Sequence, residues 1–457
     1  MNYVFWYDWL ISFLIIITIA IWSKSFISKN HNDILINKYF SKAIALKVVG
    51  SLAFSIYHIY IYGGGDTFGY FLTGQTITKT FFTAPADFFS LAFLPLSDIS
   101  NLVDRVEWLY PDNIMWTAES NYFSARIAAI IELFTFQAYL PTALIYSLIS
   151  FWGIWKCFKF FNKLFPGQDK IIAISFLYFP TVVFWGSGLG KDSVSLGAIC
   201  GLTVCAYQIF IYKTKLIKNA IGMALCLFVL FIIKAYIALA FMMPLALSIT
   251  FIYIGGVKNI LGKIVVVPLL IGILLGSAIL LNGYKQNNFL QFSVESINSR
   301  IIVANTVLQE AGSAYDLGIK PEDINGLGDM LPFFPKAVVA TWYRPWLWEA
   351  KNPAMLLSAL ESVFLLFLTL IILIRGYFLK MFYIFLRNPV LFSLFVYAFI
   401  FSGLIGLSTG NFGTLVRYKI PMLPFLVMVL LLTNTILKRK SETKITINRK
   451  DTIMTTM

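Results

Sequence analysis

The chain has 457 residues, 59% of them hydrophobic and 13% charged, with a net charge of +14. This composition excludes a soluble globular protein. The scatter of basic residues over short loops, with no binding module, excludes a nucleic-acid partner. Several apolar runs reach the ~20 residues that a spanning helix needs, and no alternating strand pattern recurs, so the expected fold is an all-α integral membrane protein.

In chain order, eleven transmembrane helices are predicted, at residues 5–23, 42–62, 138–156, 171–188, 193–212, 219–234, 237–255, 264–282, 354–374, 389–408 and 419–437. The first run has no basic flank and no small-residue cleavage site, so it reads as a retained helix. Lys234-Ala-Tyr must make the turn between the sixth and seventh. Tyr122–Phe136 is apolar but short and carries Arg126 and Glu132, which predicts an interfacial or re-entrant helix with these two side chains paired. Two long loops, 64–137 and 283–353, hold short amphipathic stretches such as Asp98–Leu109 and Ser293–Glu310, expected to lie on the membrane surface. Residues 1–437 form one polytopic domain, and the polar tail 438–457 is expected to be disordered. The four cysteines lie in or beside apolar runs with no C-x-x-C spacing, and are expected to be free thiols.

Basic residues set the orientation. One alternate set of loops, with the tail, holds 23 of the 36 Lys and Arg but only four acids (Asp33, Asp169, Glu442, Asp451). The positive-inside rule then puts these loops in the cytoplasm, the N-terminus and both long loops outside, and the C-terminus inside. Much of the positive charge is a topology signal with affinity for anionic lipid.

Polar residues gather at the expected outer ends of the helices. Gly63–Tyr70 (GGGDTFGY) puts Asp66 at the mouth of a span, where a carboxylate is costly unless it meets water or a partner. Gly186–Ser193 (GSGLGKDS) falls one residue short of P-loop spacing, and Asp follows its Lys. It reads either as glycines and Lys191 around a phosphate oxygen or as a tight turn with a Lys191–Asp192 surface pair. Thr341–Pro353 crowds Trp342, Trp346 and Trp348 around Arg344 and Glu349. An interfacial aromatic belt explains the tryptophans, whereas an Arg among indoles suits a sugar phosphate. Gly410–Pro424 places Arg417 and Lys419 at the start of the last span, as snorkelling cations or as phosphate ligands. His58 reads as a packed helix residue.

These phrases, namely Asp66 with Tyr70, FPTVVFWGSGLGKDS (179–193), RPWLWEAKN (344–352) and NFGTLVRYK (411–419), resemble bacterial polytopic envelope glycan enzymes: GT-C-type glycosyltransferases and O-antigen or capsule polymerases. The resemblance implies a GT-C-like bundle in the bacterial cytoplasmic (inner) membrane. It also implies transfer from a polyprenyl-phosphate-linked sugar donor to a glycan acceptor on the extracytoplasmic face. Asp66 would be the catalytic base, and Tyr70, Arg126, Lys191, Trp342, Arg344, Trp346, Glu349, Arg417 and Lys419 would bind substrate. No cofactor is implied, and dependence on a divalent metal is left open. The chain departs from the pattern in placing the Asp66 loop after the second helix rather than the first, and in lacking a D-x-D pair. A transporter or flippase of lipid-linked saccharides would need similar cations and aromatics, and a non-catalytic envelope assembly subunit would use them as interfaces. The absence of a visible internal repeat and the small number of broken helices expected weigh against transport.

Overall fold

The computed structural model describes residues 4–109, 118–256, 317–319, 327–374 and 378–454. The expected span at 264–282 and the amphipathic stretch 293–310 lie outside them. The regular elements are helices: α1 (Trp6–Lys29), α2 (Ser41–Ile56), α3 (Asp66–Thr83), α4 (Pro85–Phe93), α5 (Ser100–Leu109), α6 (Glu119–Thr135), α7 (Tyr139–Leu164), α8 (Asp169–Ala173), α9 (Pro180–Trp185), α10 (Lys191–Phe210) and α11 (Leu216–Gly256). After the undescribed stretch come α12 (Phe334–Tyr343), α13 (Pro353–Ile374), α14 (Phe378–Arg387), α15 (Pro389–Ser408), α16 (Phe412–Tyr418) and α17 (Leu423–Met454). Turns of π-helix extend α2 to the range Ile36–Tyr62.

Among the described residues seven helices are long and apolar enough to cross a membrane, or eight if α16 and the start of α17, bent by 70°, make one span. The expected eleven spans are not confirmed among the described residues. The stretch 171–188 is broken: Pro180 lacks the N–H that would continue the helix, and Phe179 before it is extended (φ −66°, ψ 120°). The two spans expected at 219–234 and 237–255 fall within the single element α11, interrupted at Lys234 (φ −153°, ψ 74°). The described part of the expected loop 64–137 is largely helical, with α3 and α6 its longest pieces. Beyond residue 437 the backbone of α17 continues as helix to Met454, where a disordered tail was expected.

The chain divides into two compact units, and each is described by itself. The first holds α1–α7, α9, α10 and α11 up to Leu239; the second holds α11 from Ala240 and α12–α17.

In the first unit Asp8 is fully buried and caps two helices. One carboxylate oxygen accepts from the Phe5 N–H at 3.0 Å, and the other accepts from the Leu140 N–H at the start of α7, at 3.1 Å. Thr67 and Tyr139 share a hydrogen bond of 2.9 Å, so the starts of α1, α3 and α7 meet at one end of the unit. Two of the Lys-rich segments are tied together elsewhere, by Lys38–Asp169 at 2.6 Å and Lys159–Asp33 at 2.5 Å. The hydrogen bond from Lys38 holds the Asp169 carboxyl below the usual carboxylate range. α7 and α10 touch through glycine: a Cβ on Gly153 would lie 2.0 Å from the Gly197 carbonyl oxygen, so only a residue without a side chain fits. All four cysteines are free, with Cys157 and Cys200 buried.

In the second unit α12 lies against α15. Thr341 donates to the Ser402 carbonyl at 2.9 Å, and the Trp342 indole N–H donates to the Ser402 hydroxyl at 2.6 Å.

Candidate functional site

The candidate residues fall into two groups, one in each unit. In the first unit the chain leaves α2 through Gly63 and Gly65, whose φ values of +69° and +109° suit glycine and let the backbone reverse. Asp66 is then the first residue of α3, partly exposed, where the positive end of the helix dipole favours a carboxylate. Tyr70, one turn on, is buried, with its hydroxyl 3.5 Å from Asn121 Oδ1. The neighbouring Ser120 accepts from Lys191 Nζ at 3.1 Å. Two consecutive residues at the start of α6 thus hold Tyr70 of α3 and Lys191 of α10.

The first turn of α10 is fixed on three sides. Asp192 is buried and paired to Lys234 at 2.5 Å, at the break in α11. Ser193 donates to the Gly186 carbonyl at 2.8 Å and lies 3.0 Å from the Ser150 hydroxyl of α7. Lys47, buried in the α2 span, donates to the same carbonyl. A Lys191–Asp192 surface pair is therefore not formed, because the two side chains point to different helices. Lys47 was not singled out from the sequence, and Lys234 only as part of the turn between the sixth and seventh expected helices. The available signal was a lysine inside an apolar run, which is costly unless satisfied.

Arg126 does not pair with Glu132. Its guanidinium meets Glu119 at 2.7 Å, donates to the carbonyls of Leu91 and Leu94, and lies 4.2 Å from the Tyr122 ring centroid. Helical geometry gives the reason: seven residues are about two turns, which returns to the same face, whereas six residues turn about 120° away. An open cavity of about 960 Å³ borders Arg126 and Glu119, with walls that include Phe93, Phe123, Ile127 and Phe228. His58 is packed as expected, its ring 4.0 Å from Phe54 and its Nδ1 2.8 Å from the Phe54 carbonyl.

In the second unit Arg344, at the end of α12, is clamped by Glu349, with Nε 3.1 and 3.2 Å from the two carboxylate oxygens. Glu349 also accepts from the Trp346 N–H at 2.8 Å. Trp346 stacks on Trp348 with centroids 5.6 Å apart and planes 14° from parallel. Lys419 lies in the break between α16 and α17 and is almost fully buried. Its ammonium is 3.5 Å from the Arg344 carbonyl, 3.4 Å from Ser362 Oγ, and within electrostatic reach of buried Glu361. Burial of Lys419 rules out a snorkelling role for that residue. Arg417 stands two residues earlier on α16, and Phe412 of that helix lies 4.9 Å below the Arg344 guanidinium. Trp342 is a core residue, its indole N–H spent on Ser402.

An open cavity of about 640 Å³ is lined by Gly318, Pro335, Lys336, Val339, Arg344 and Trp346. Lys336 was missed in the sequence, although its spacing of eight from Arg344, with Ala340 midway, puts all three on neighbouring turns of one face. Among the described residues no cluster of three or more His, Cys, Asp or Glu could hold a metal ion.

No protein-family model matches the chain, and no curated protein or solved structure is significantly similar to it. What composition and fold define is a class: an all-helical, multi-pass membrane protein with a polar cluster in each of its two units.

Proposed function

We propose that the protein is a membrane glycosyltransferase or polysaccharide polymerase that uses a polyprenyl-phosphate-linked sugar donor on the extracytoplasmic face. The observation that carries this reading is the Lys336–Arg344–Trp346 cavity. An Arg held in place by Glu349 presents a fixed cation, and the paired indoles offer flat faces of the kind that sugar rings stack on. In the reaction an acceptor hydroxyl oxygen bonds to the anomeric carbon while the bond from that carbon to the carrier phosphate oxygen breaks. Asp66 would take the hydroxyl proton, and Lys191 in the same unit would offset negative charge. Taken by itself, the second unit offers Arg344 and Lys336 as ligands for a sugar phosphate. The test is purified protein in proteoliposomes with labelled polyprenyl-linked saccharide. A covalent glycan product is expected, and labelled lipid that crosses the bilayer unchanged would sink the reading.

A second reading, transport or flipping of the same lipid-linked saccharide, gains from one observation. Among the described residues two helix breaks carry a buried lysine: Lys234 in α11 and Lys419 between α16 and α17. Discontinuous helices with buried charge are the usual lining of transport sites.

The orientation belongs to the same proposal. Alkaline phosphatase fused after Lys79 or Lys320 should be active, and fused after Lys29 or Lys440 inactive. Activity at Lys29 would put Asp66 in the cytoplasm and remove its proposed role.

A further inference from the structure

With Arg126 committed to Glu119, Glu132 is left as a carboxyl without an ion-pair partner among the described residues, and its surroundings are specific. It is fully buried where α6 packs on α3. A Cβ on Gly74 would come within 2.7 Å of its Oε1 and 3.1 Å of the Ala129 nitrogen, so the carboxyl presses directly on the α3 backbone. Oε1 has no hydrogen-bond partner among the described residues. Oε2 has one neighbour, the Thr78 hydroxyl at 3.3 Å. That hydroxyl has a single proton and two nearer acceptors, the carbonyls of Gly74 at 2.9 Å and Ala129 at 3.0 Å. A carboxylate in this place would be buried with almost nothing to replace its water, whereas a carboxylic acid can itself donate to the Thr78 oxygen.

We propose that Glu132 is a proton-binding site: a carboxylic acid that keeps the α3–α6 pair closed, and whose ionisation opens it.

The charged groups around it do not change this. Lys79 of α3 favours the ionised form, but burial outweighs it and the Thr78 hydrogen bond, and pushes the carboxyl well above its usual range. Arg126 and Glu119 of α6 are paired to each other, and Asp87 of α4 is paired to Arg105 of α5. The α7 stretch from Tyr139 to Trp155 has no charged side chain. Because α3 begins at Asp66 and carries Tyr70, the proton on Glu132 governs the seating of the helix that presents both.

Infrared spectroscopy on the full-length protein tests this. A protonated-carboxyl C=O band should be present in the wild type at about pH 7, where ordinary glutamates of pKa about 4.3 are ionised. It should be missing from Glu132→Gln. The folded protein binds the extra proton, so wild-type stability relative to Glu132→Gln should fall as pH rises from about 4.3 through the raised folded pKa. Glu132→Met removes the same ionisation and serves where the Gln variant does not accumulate. A band unchanged by either substitution, or pH–stability curves that run parallel in wild type and variant, would overturn the proposal.

Discussion

Asp66→Asn should leave the protein folded and able to bind a lipid-linked donor while cutting turnover by about 10²–10⁴-fold, the loss typical of a missing general base. The substitution is conservative where it stands. Asn keeps the size and most of the hydrogen-bonding capacity of Asp at the start of a helix, and Asp66 is partly exposed. What Asn cannot do is accept a proton. The measurement pairs donor binding with the rate of glycan product formation in the same proteoliposomes. A rate equal to wild type, with binding intact, would make Asp66 a solvated first-turn residue of α3. The chemistry would then have to be sought elsewhere. If no variant and no wild-type protein makes product while labelled lipid still crosses, the transport reading takes over, and Asp66→Asn should alter only that movement.

Much of the helical framework was legible in the sequence because it follows from apolar run length alone. α15 occupies residues 389–408, as predicted, and α1, α7, α10 and α13 begin within two residues of the predicted positions. The number of spans was less legible, since hydropathy does not register a break. Pro180 sits inside a run apolar enough to look continuous, and only the backbone shows where that helix stops, whereas α11 breaks at Lys234, where the Lys234-Ala-Tyr turn was expected. Arg126 illustrates a different limit. Charge alone favoured Glu132 as its partner, but counting helical turns favours Glu119, and the information was in the spacing all along. The Asp192–Lys234 contact had no such signal. It joins residues 42 apart on different helices, and nothing local announces a distance of that kind.

That contact should be the costliest one in the first unit to break from one side. Both side chains are less than a tenth exposed, and they meet at 2.5 Å. Lys234→Met would leave the Asp192 carboxylate buried without its ammonium, and Asp192→Asn would strand the lysine. Either change should destabilise the protein by about 3–5 kcal/mol, because an uncompensated buried charge keeps its desolvation penalty and loses its attraction. The double variant removes both charges, and replacing a whole buried pair is often close to neutral, so it should recover most of the loss. Thermal unfolding in detergent, read as a double-mutant cycle, measures the coupling. Additive losses would mean that the two groups are held by other partners and that the pair contributes little. The cycle also bears on function through the break it sits at. Lys234 leaves helical geometry where its side chain reaches the turn that carries Lys191, so the pair locks α11 to the start of α10. In an enzyme that lock keeps Lys191 in place, and the restored double variant should have lower turnover than wild type with an unchanged fold. A transporter would need the lock to open in each cycle. There the double variant, stable but unlocked, should move lipid at least as fast as wild type.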